Sequence, residues 1–514
     1  MLFAADSDRP PNVMFVLADD MGFSDLGCYG GEIETPNIDS LATGGLRYTQ
    51  FYNTGRCWPT RAALMSGHYA RAVGVDPIKR GEKPDWVRFL PHYLKTAGYR
   101  CYHSGKWHVV GYGRPDTTGG FDHSYMSRAW DRFFSPKNHW LDGEQLPQPS
   151  RDSGYYATSA FADRAIGFLE DHKKQHGAKP FFMYLAFISP HFPLHALPDD
   201  IDRYRDRYVS GWDALRKERL ERMRNLGIID AELSPRDPSV RPRWNLSEEK
   251  LKERIGDGEA GRAVAWDSLS DEQKRFQATK MAIHAAMVYR VDQAVGRVVE
   301  QIKQMGQLDT TIIMVASDNG ASAEQIIRGD GHDKAAPAGS AASYLCLGPG
   351  WSTAANTPFR KHKHWTHEGG IATPLVVHWP QGIKAKGETR RAVGHVIDVV
   401  PTVLDAAGIE PSAAYDARPP VELPGRSLLP TFAADVPIER ELLYFDHSGN
   451  LALRMGDWKA VSSNRGEDWE LYNLSKDRTE CHDLSEQKPE RLESMRKRFE
   501  KERKDLDAMF GGEK

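Results

Sequence analysis

Apolar residues run almost unbroken through 12–18, 181–188, 311–316 and 374–379, and in the first three a polar cluster follows at once. Short runs without alternation are the mark of strands buried on both faces, so these four predict interior strands of a sheet. Elsewhere the period changes. Over 281–305, Ile283, Met287, Val291, Val295, Val298 and Ile302 recur at three- and four-residue spacing, which predicts a helix laying one face on a sheet, with Gly306 closing it. Shorter helical patterns cover 88–97 and 159–172. Buried strands alternating with helices predict an α/β fold: a large mixed, mostly parallel central sheet flanked by helices on both faces.

Two stretches break this rhythm. From 200 to about 277 the chain is arginine-rich and irregular, with Trp212, Trp244 and Trp266 among many charges. Such a long insertion between core elements suits a lid or substrate rim better than a core. Past residue 426 short strands are predicted at 441–445, 451–455, 458–461 and 469–471, then a charged helix from 489 to the end. Residues 431–514 are therefore expected to form a small α+β domain with an antiparallel sheet, and 1–430 the main domain. Length agrees, because 514 residues exceed the ~250–300 at which single cores stop growing.

Composition narrows the partners. With 27% charged residues and a net charge of -3, nothing points to nucleic acid. No apolar run approaches the ~18 residues of a spanning helix, so no membrane partner is expected. The opening Met1-Leu2-Phe3-Ala4-Ala5-Asp6 is too short for a signal peptide's apolar region and reads as a remnant of one, in keeping with a periplasmic or secreted protein. Five cysteines, at 28, 57, 101, 346 and 481, are too scattered for a disulfide framework or a zinc site.

The polar residues closing the apolar runs carry the chemistry. Ala18 leads into Asp19-Asp20, Ile188 into Ser189-Pro190-His191, and Ala316 into Ser317-Asp318-Asn319-Gly320. Taken singly, Asp-Asp caps a turn and Asp-Asn-Gly makes one. The carboxyl ends of strands in an open α/β sheet converge on one crevice, however, and together these side chains form an all-oxygen set suited to Ca²⁺ or Mg²⁺. Cys57 lies just before a helical pattern. A lone cysteine there is ordinarily a small buried hydrophobe, but a helix starting near Pro59 would aim its positive end at the sulfur and favour an anion.

The run Cys57-Trp58-Pro59-Thr60-Arg61-Ala62-Ala63-Leu64-Met65-Ser66-Gly67 resembles the signature of the type I, formylglycine-dependent sulfatases, an arylsulfatase-like group of the alkaline phosphatase superfamily. The likeness extends along most of the chain. Residues 12–22, ending in Asp19-Asp20-Met21-Gly22, are similar to the family's first strand and metal aspartates. Gly105-Lys106-Trp107-His108, Pro190-His191, Ser317-Asp318-Asn319-Gly320, and Lys363 followed by Glu368-Gly369-Gly370 match further family elements in order. The resemblance implies an alkaline-phosphatase-like fold and a sulfate-ester hydrolase whose Cys57 is oxidised to formylglycine by a formylglycine-generating enzyme. It also implies one divalent metal, Ca²⁺ or Mg²⁺, held by Asp19, Asp20, Asp318 and Asn319 together with an oxygen of the residue at Cys57.

The same resemblance implies roles. Arg61 would orient the formylglycine diol, Lys106 and Lys363 would clamp the sulfate oxygens, His108 would take a proton from the diol, and His191 would contact the sulfate and leaving-group side. His362, His364 and His367 flank Lys363 and read as a rim rather than a zinc site, and His139 and His195 are weaker substrate-contact candidates. Cys28, Cys101, Cys346 and Cys481 match no signature and read as structural. The stretch 241–264 looks extra beside the family pattern, so substrate preference does not transfer. A sulfated carbohydrate fits better than a small aryl sulfate. Rival readings are a phosphonate or phosphate monoester hydrolase using the same formylglycine, and a non-catalytic sulfated-glycan-binding protein.

Overall fold

The computed structural model describes residues 9–78, 83–128, 133–414 and 420–511; the suspected leader remnant at 1–6 lies outside them. Eleven strands form the main sheet among the described residues: β1 Asn12–Asp19, β2 Leu46–Tyr52, β3 Arg100–Lys106, β4 His123–Ser127, β5 His139–Leu141, β6 Glu144–Gln145, β7 Phe181–Pro190, β8 Thr311–Ser317, β9 Ala372–His378, β10 Glu388–Arg390 and β11 Gly394–His395. Their order is β10-β2-β9-β8-β1-β7-β3-β4-β5-β6, with β11 beside β2. At the centre β8, β1, β7 and β3 are mutually parallel, while β9 runs antiparallel to both β8 and β2.

The apolar runs have the cause their pattern implied. Along β1, Met14, Val16 and Ala18 enter one hydrophobic cluster, and Val13, Phe15 and Leu17 enter the other, on the opposite face of the sheet. Burial on both sides leaves no position for a polar residue until the strand ends. One face is covered by the helices Ala157–His176 and Asp271–Gln304, and the other by Cys57–Ser66, Leu90–Thr96 and Val399–Ala407. The Asp271–Gln304 helix starts ten residues before its apolar stripe, because Ser270 and Gln273 form a capping box: each side chain accepts a hydrogen bond from the other's backbone N–H.

The segment 200–277 is only partly a rim. Its helix Gly211–Asn225 buries Trp212, whose ring packs 4.8 Å from Trp266 and 5.4 Å from Trp351. On the same helix Arg219 is fully buried and bonds Asp25 at 2.8 Å and Glu32 at 2.7 Å. These contacts correct the expectation for that part: the charges and tryptophans pair with each other and build core. Trp244, by contrast, is 44% exposed.

A second sheet, β12 Leu443–His447, β13 Asn450–Met455, β14 Trp458–Ser462 and β15 Trp469–Asn473, is antiparallel throughout, and the helix Pro489–Gly511 packs on it. Its apolar residues join both clusters of the main sheet. The end of β12 thereby comes beside the start of the Cys57–Ser66 helix, where the His447 and Trp58 rings lie 5.3 Å apart.

Candidate active site

Four adjacent parallel strands deliver the polar residues to one place. Asp19 ends β1, Lys106 ends β3, Pro190 ends β7 just before His191, and Ser317 ends β8 just before Asp318 and Asn319. Neighbouring strands lie about 4.8 Å apart, so four strand ends span little more than the reach of their side chains. The chain then turns sharply, with Asp20 (φ 67°) and His108 (φ 51°) both in the left-handed region. Gly105 makes the approach possible. A Cβ there would sit 1.9 Å from the Ala186 carbonyl oxygen, so only glycine lets the end of β3 lie this close to β7, from where the Lys106 side chain reaches Asp19.

Cys57 is the first residue of its helix, two positions earlier than Pro59 suggested, and it is buried. Its Sγ lies 3.5 Å from Nδ1 of His108. One turn on, Arg61 donates from Nε and Nη2 to Asp318 Oδ2 (2.9 and 2.7 Å) and from Nη1 to the Lys106 carbonyl (2.7 Å). Lys106 pairs with Asp19, and Lys363 pairs with Asp20 at 2.6 Å. Three cations thus face three carboxylates with almost no exposure to water.

Burial sets the protonation states. It pushes the Cys57 thiol up despite Lys106 and Lys363, so the sulfur is a thiol and a weak nucleophile as it stands. Burial, then Lys106 and Arg61, holds His108 well below the ordinary imidazole range, and burial brings His191 down to about 4. Both rings are neutral at pH 7. His191 Nδ1 lies 2.6 Å from the Phe192 carbonyl, which can only accept, so that nitrogen carries the proton and Nε2 presents a lone pair 3.8 Å from Asp20. For Asp19, burial opposes ionisation, but the neighbouring cations, Lys106 first and then Arg61, outweigh it and hold the carboxyl far below its usual range. Burial and the neighbouring Asp19 raise Asp318.

The donor set fits a hard divalent cation. Asp19 Oδ1, Asp20 Oδ2 and Asn319 Oδ1 are buried without a hydrogen-bond partner, and each such oxygen costs about 1–3 kcal/mol or more if left so. Ligand atoms of Asp19, Asp20 and His191, and of Asp19, Cys57 and Asp318, form two groups with all members within 4.8 Å of one another. The orphaned acceptors of Asp19, Asp20 and Asn319 are all oxygen, which suits Ca²⁺ or Mg²⁺.

Other candidates are placed elsewhere. His139 bonds the Tyr125 hydroxyl and the Pro147 carbonyl, both at 3.0 Å, and His195 Nε2 donates to the Ser343 carbonyl at 2.9 Å; both are buried supports rather than substrate contacts. His362 bonds Ser352 and His367 bonds Glu470, so of the three only His364 opens onto solvent as a rim. All five cysteines are unpaired.

Outside Cys57 a cleft of about 630 Å³ opens between Arg56 and Trp58, residues 239–244, the loop carrying Lys361 and His364, and the turns of the second sheet. Sequence reasoning missed two of its residues. Glu324 bonds Arg56 at 3.3 Å and the Trp244 indole at 2.8 Å, and it lies 3.5 Å from Lys363. His447, at the end of β12, is held by Asp76 at 2.6 Å and packs edge-on against Trp58. Neither stands in a motif, since each acquires neighbours only through folding.

Comparison with known proteins accords with this geometry. Residues 11–409 match the sulfatase family model, and 360–507 match that of the N-sulphoglucosamine sulphohydrolase C-terminal region. An uncharacterized sulfatase of Schizosaccharomyces pombe is 30% identical over 95% of this chain and 92% of its own length. The arylsulfatase of Klebsiella aerogenes is 29% identical (83% and 92%), and the N-acetylglucosamine-6-O-sulfatase of Bacteroides thetaiotaomicron 27% (93% and 83%). Among solved structures, a protein in complex with its substrate D-glucosamine-2-N,6-O-disulfate superposes with a TM-score of 0.65 at 21% identity, covering 97% of this chain and 98% of its own. The phosphonate monoester hydrolase of Silicibacter pomeroyi gives 0.61 at 17%, covering 96% of each. The chain belongs to the sulfatase family of sulfuric ester hydrolases.

Proposed function

We propose that the protein hydrolyses sulfate monoesters of a sulfated carbohydrate, with Cys57 converted to formylglycine by a formylglycine-generating enzyme and one Ca²⁺ or Mg²⁺ bound by Asp19, Asp20, Asp318 and Asn319. The observation that carries this reading is the meeting of a buried, protonated cysteine with a neutral histidine and three unpartnered oxygens at the ends of four parallel strands. A thiol would form a stable covalent product, whereas a hydrated formylglycine offers one hydroxyl to attack sulfur as the S–O bond to the departing alcohol breaks, and a second whose deprotonation restores the aldehyde and expels sulfate. A bound divalent cation would polarise the ester and favour ionisation of the nucleophile. Relatives named for arylsulfate and N-acetylglucosamine-6-O-sulfate chemistry support the substrate class.

The chain's own groups divide the remaining work. His108, neutral and within reach of residue 57, accepts the proton of the second hydroxyl. Arg61, anchored on Asp318, fixes the first turn of the helix and so the orientation of residue 57. Lys106 and Lys363 supply positive charge toward the sulfate oxygens, and His191 lines the sulfate side. Three cations balance three carboxylates, so a divalent ion leaves the site net positive for an anionic ester. Substrates of this kind imply action outside the cytoplasm, in the periplasm or secreted; no helix among the described residues is long and apolar enough to cross a membrane.

Two measurements test the reading. The mass of the peptide holding Cys57, from protein matured with the converting enzyme, should be that of formylglycine. For sulfate and phosphate esters of one alcohol, kcat/KM should favour sulfate by at least about two orders of magnitude, or roughly 2.7 kcal/mol of transition-state stabilisation. A faster phosphate or phosphonate ester would transfer the assignment to the rival monoester hydrolase. Unmodified Cys57 together with full activity would end the formylglycine mechanism.

A further inference from the structure

The cleft outside Cys57 holds charge that sulfate hydrolysis does not use. Arg241, Arg243, Arg328, Lys361 and Arg465 line it, and none makes an ion pair with a carboxylate among the described residues. Arg241 donates to the carbonyls of Gly261 and Leu246, and Arg328 lies over the Phe192 ring; Lys361 donates to the Ser463 hydroxyl at 3.0 Å and has carboxylates, Glu470, Glu480 and Asp237, in its wider surroundings. The one acidic residue of the lining, Glu324, is already shared by Arg56, Lys363 and Trp244.

This is not the habit of the segment as a whole. Arg236 and Arg262, which flank Arg241 and Arg243 in sequence but are not part of the lining, are matched with Asp213 and Glu248 at 2.5 and 2.6 Å. The chain as a whole carries a net charge of -3, so an unmatched basic cluster runs against its own background. The backbone is strained here too. Of nine non-glycine residues with positive φ among the described residues, four line this cleft: Lys361, His364, Ser448 and Arg465. Such strain persists where the surrounding fold enforces a particular presentation of side chains.

A sulfate ester of an uncharged alcohol brings a single charge, which the Cys57 site, net positive with a divalent ion bound, already meets. Cations farther out therefore answer a charge on the alcohol itself. The indoles of Trp58, Trp244 and Trp365 in the same lining offer apolar surface to the faces of sugar rings. We propose that this cleft is a second-anion subsite: the alcohol that leaves is a saccharide bearing a further sulfate or carboxylate, bound by Arg241, Arg465 and the neighbouring Arg243 and Arg328 of the lining. The proposal rests on the sulfate-ester reading of the Cys57 site.

The test compares a disulfated disaccharide, its monosulfated counterpart, the analogue with a uronate carboxylate as second anion, and 4-nitrophenyl sulfate. Each is assayed with wild type and with the Arg241→Gln/Arg465→Gln double variant. Wild type should prefer a doubly anionic disaccharide over the monosulfated one by at least about tenfold in kcat/KM, and the preference should shrink as salt is raised. Which second anion gains more identifies the source of the charge. The double variant should erase the preference through KM while leaving 4-nitrophenyl sulfate within about twofold. An unchanged preference, or an equal loss on 4-nitrophenyl sulfate, overturns the subsite. Calorimetric binding of the disulfated disaccharide to Cys57→Ala protein keeps the two readings apart. If mature wild type turns over no sulfate ester but binding remains and the double substitution removes it, the hydrolase reading fails and the subsite stands. Binding unaffected by the double substitution refutes the subsite whatever the enzyme hydrolyses.

Discussion

Two buried ionic clusters in this molecule hold a similar inventory of charge and do different things. One gathers Asp19, Asp20, Asp318, Arg61, Lys106 and Lys363 at the strand ends. The other joins the two sheets: Glu368 accepts from Lys459 at 2.9 Å through one oxygen, and from Arg478 at 2.7 Å and the Tyr52 hydroxyl at 2.9 Å through the other. In the second cluster the central carboxylate is filled by protein donors. In the first, Asp19 Oδ1, Asp20 Oδ2 and Asn319 Oδ1 are left over. Glu480 Oε1 in the second cluster also lacks a hydrogen bond but lies 2.8 Å from Lys459, so what separates a site for a cation from a structural joint is several unused acceptors gathered in one buried place, rather than the number of charges.

The sharpest break between the clusters is at Cys57, which belongs to the first without carrying charge. Cys57→Ala should lower turnover by at least ~10⁴-fold, the scale on which losing a nucleophile acts, with an unchanged thermal melt. Near wild-type turnover would remove residue 57 from the chemistry. The joint should respond in the opposite sense. Lys459→Met leaves Glu368 buried with one partner fewer and should cost about 3–5 kcal/mol in denaturant unfolding, while the folded fraction keeps its kcat/KM within about twofold. A large activity loss without destabilisation would mean that the second cluster, too, takes part in catalysis.

Lys106→Met sharpens the contrast, since it removes a cation of the first cluster. Its kcat should fall about 10²–10³-fold, as for the loss of one preorganised donor to a developing charge. The smallest effect expected is on stability through the metal. Ca²⁺ or Mg²⁺ at about 100 times its Kd should stabilise wild type by ~2.7 kcal/mol and restore activity lost on chelation, but should do neither for Asp318→Ala. Equal metal stabilisation of both proteins would put the cation elsewhere.

The limits of the sequence follow from the same distinction between local and distant partners. Strands β1, β7 and β8 could be read because burial on both faces excludes polar residues along their length. Strand β3 could not: Arg100–Lys106 reads as polar, yet His103 is buried with its ring bonded to Ser124, and Ser104 donates to the Phe161 carbonyl. A polar strand is acceptable in the core only when other elements satisfy it, and nothing in the seven residues announces that. The helix start at Asp271 was missed for a related reason, because its first turns precede the apolar stripe and only the Ser270–Gln273 cap marks them.

By itself the sequence determined the residue types available for chemistry. Cys57, Lys106, His108, His191, Asp318 and Asn319 stand in short contiguous runs whose composition needs no partner to be recognised. The tertiary structure decided which oxygens stay unpaired, which histidines are supports, which tryptophans are core, and where cations without carboxylates collect. Each of these depends on contacts between segments far apart in the chain: Arg219 with Asp25, His447 with Asp76, and Lys361 beside Ser463. Burial and pairing arise only when the chain has closed on itself, and local sequence carries no record of them.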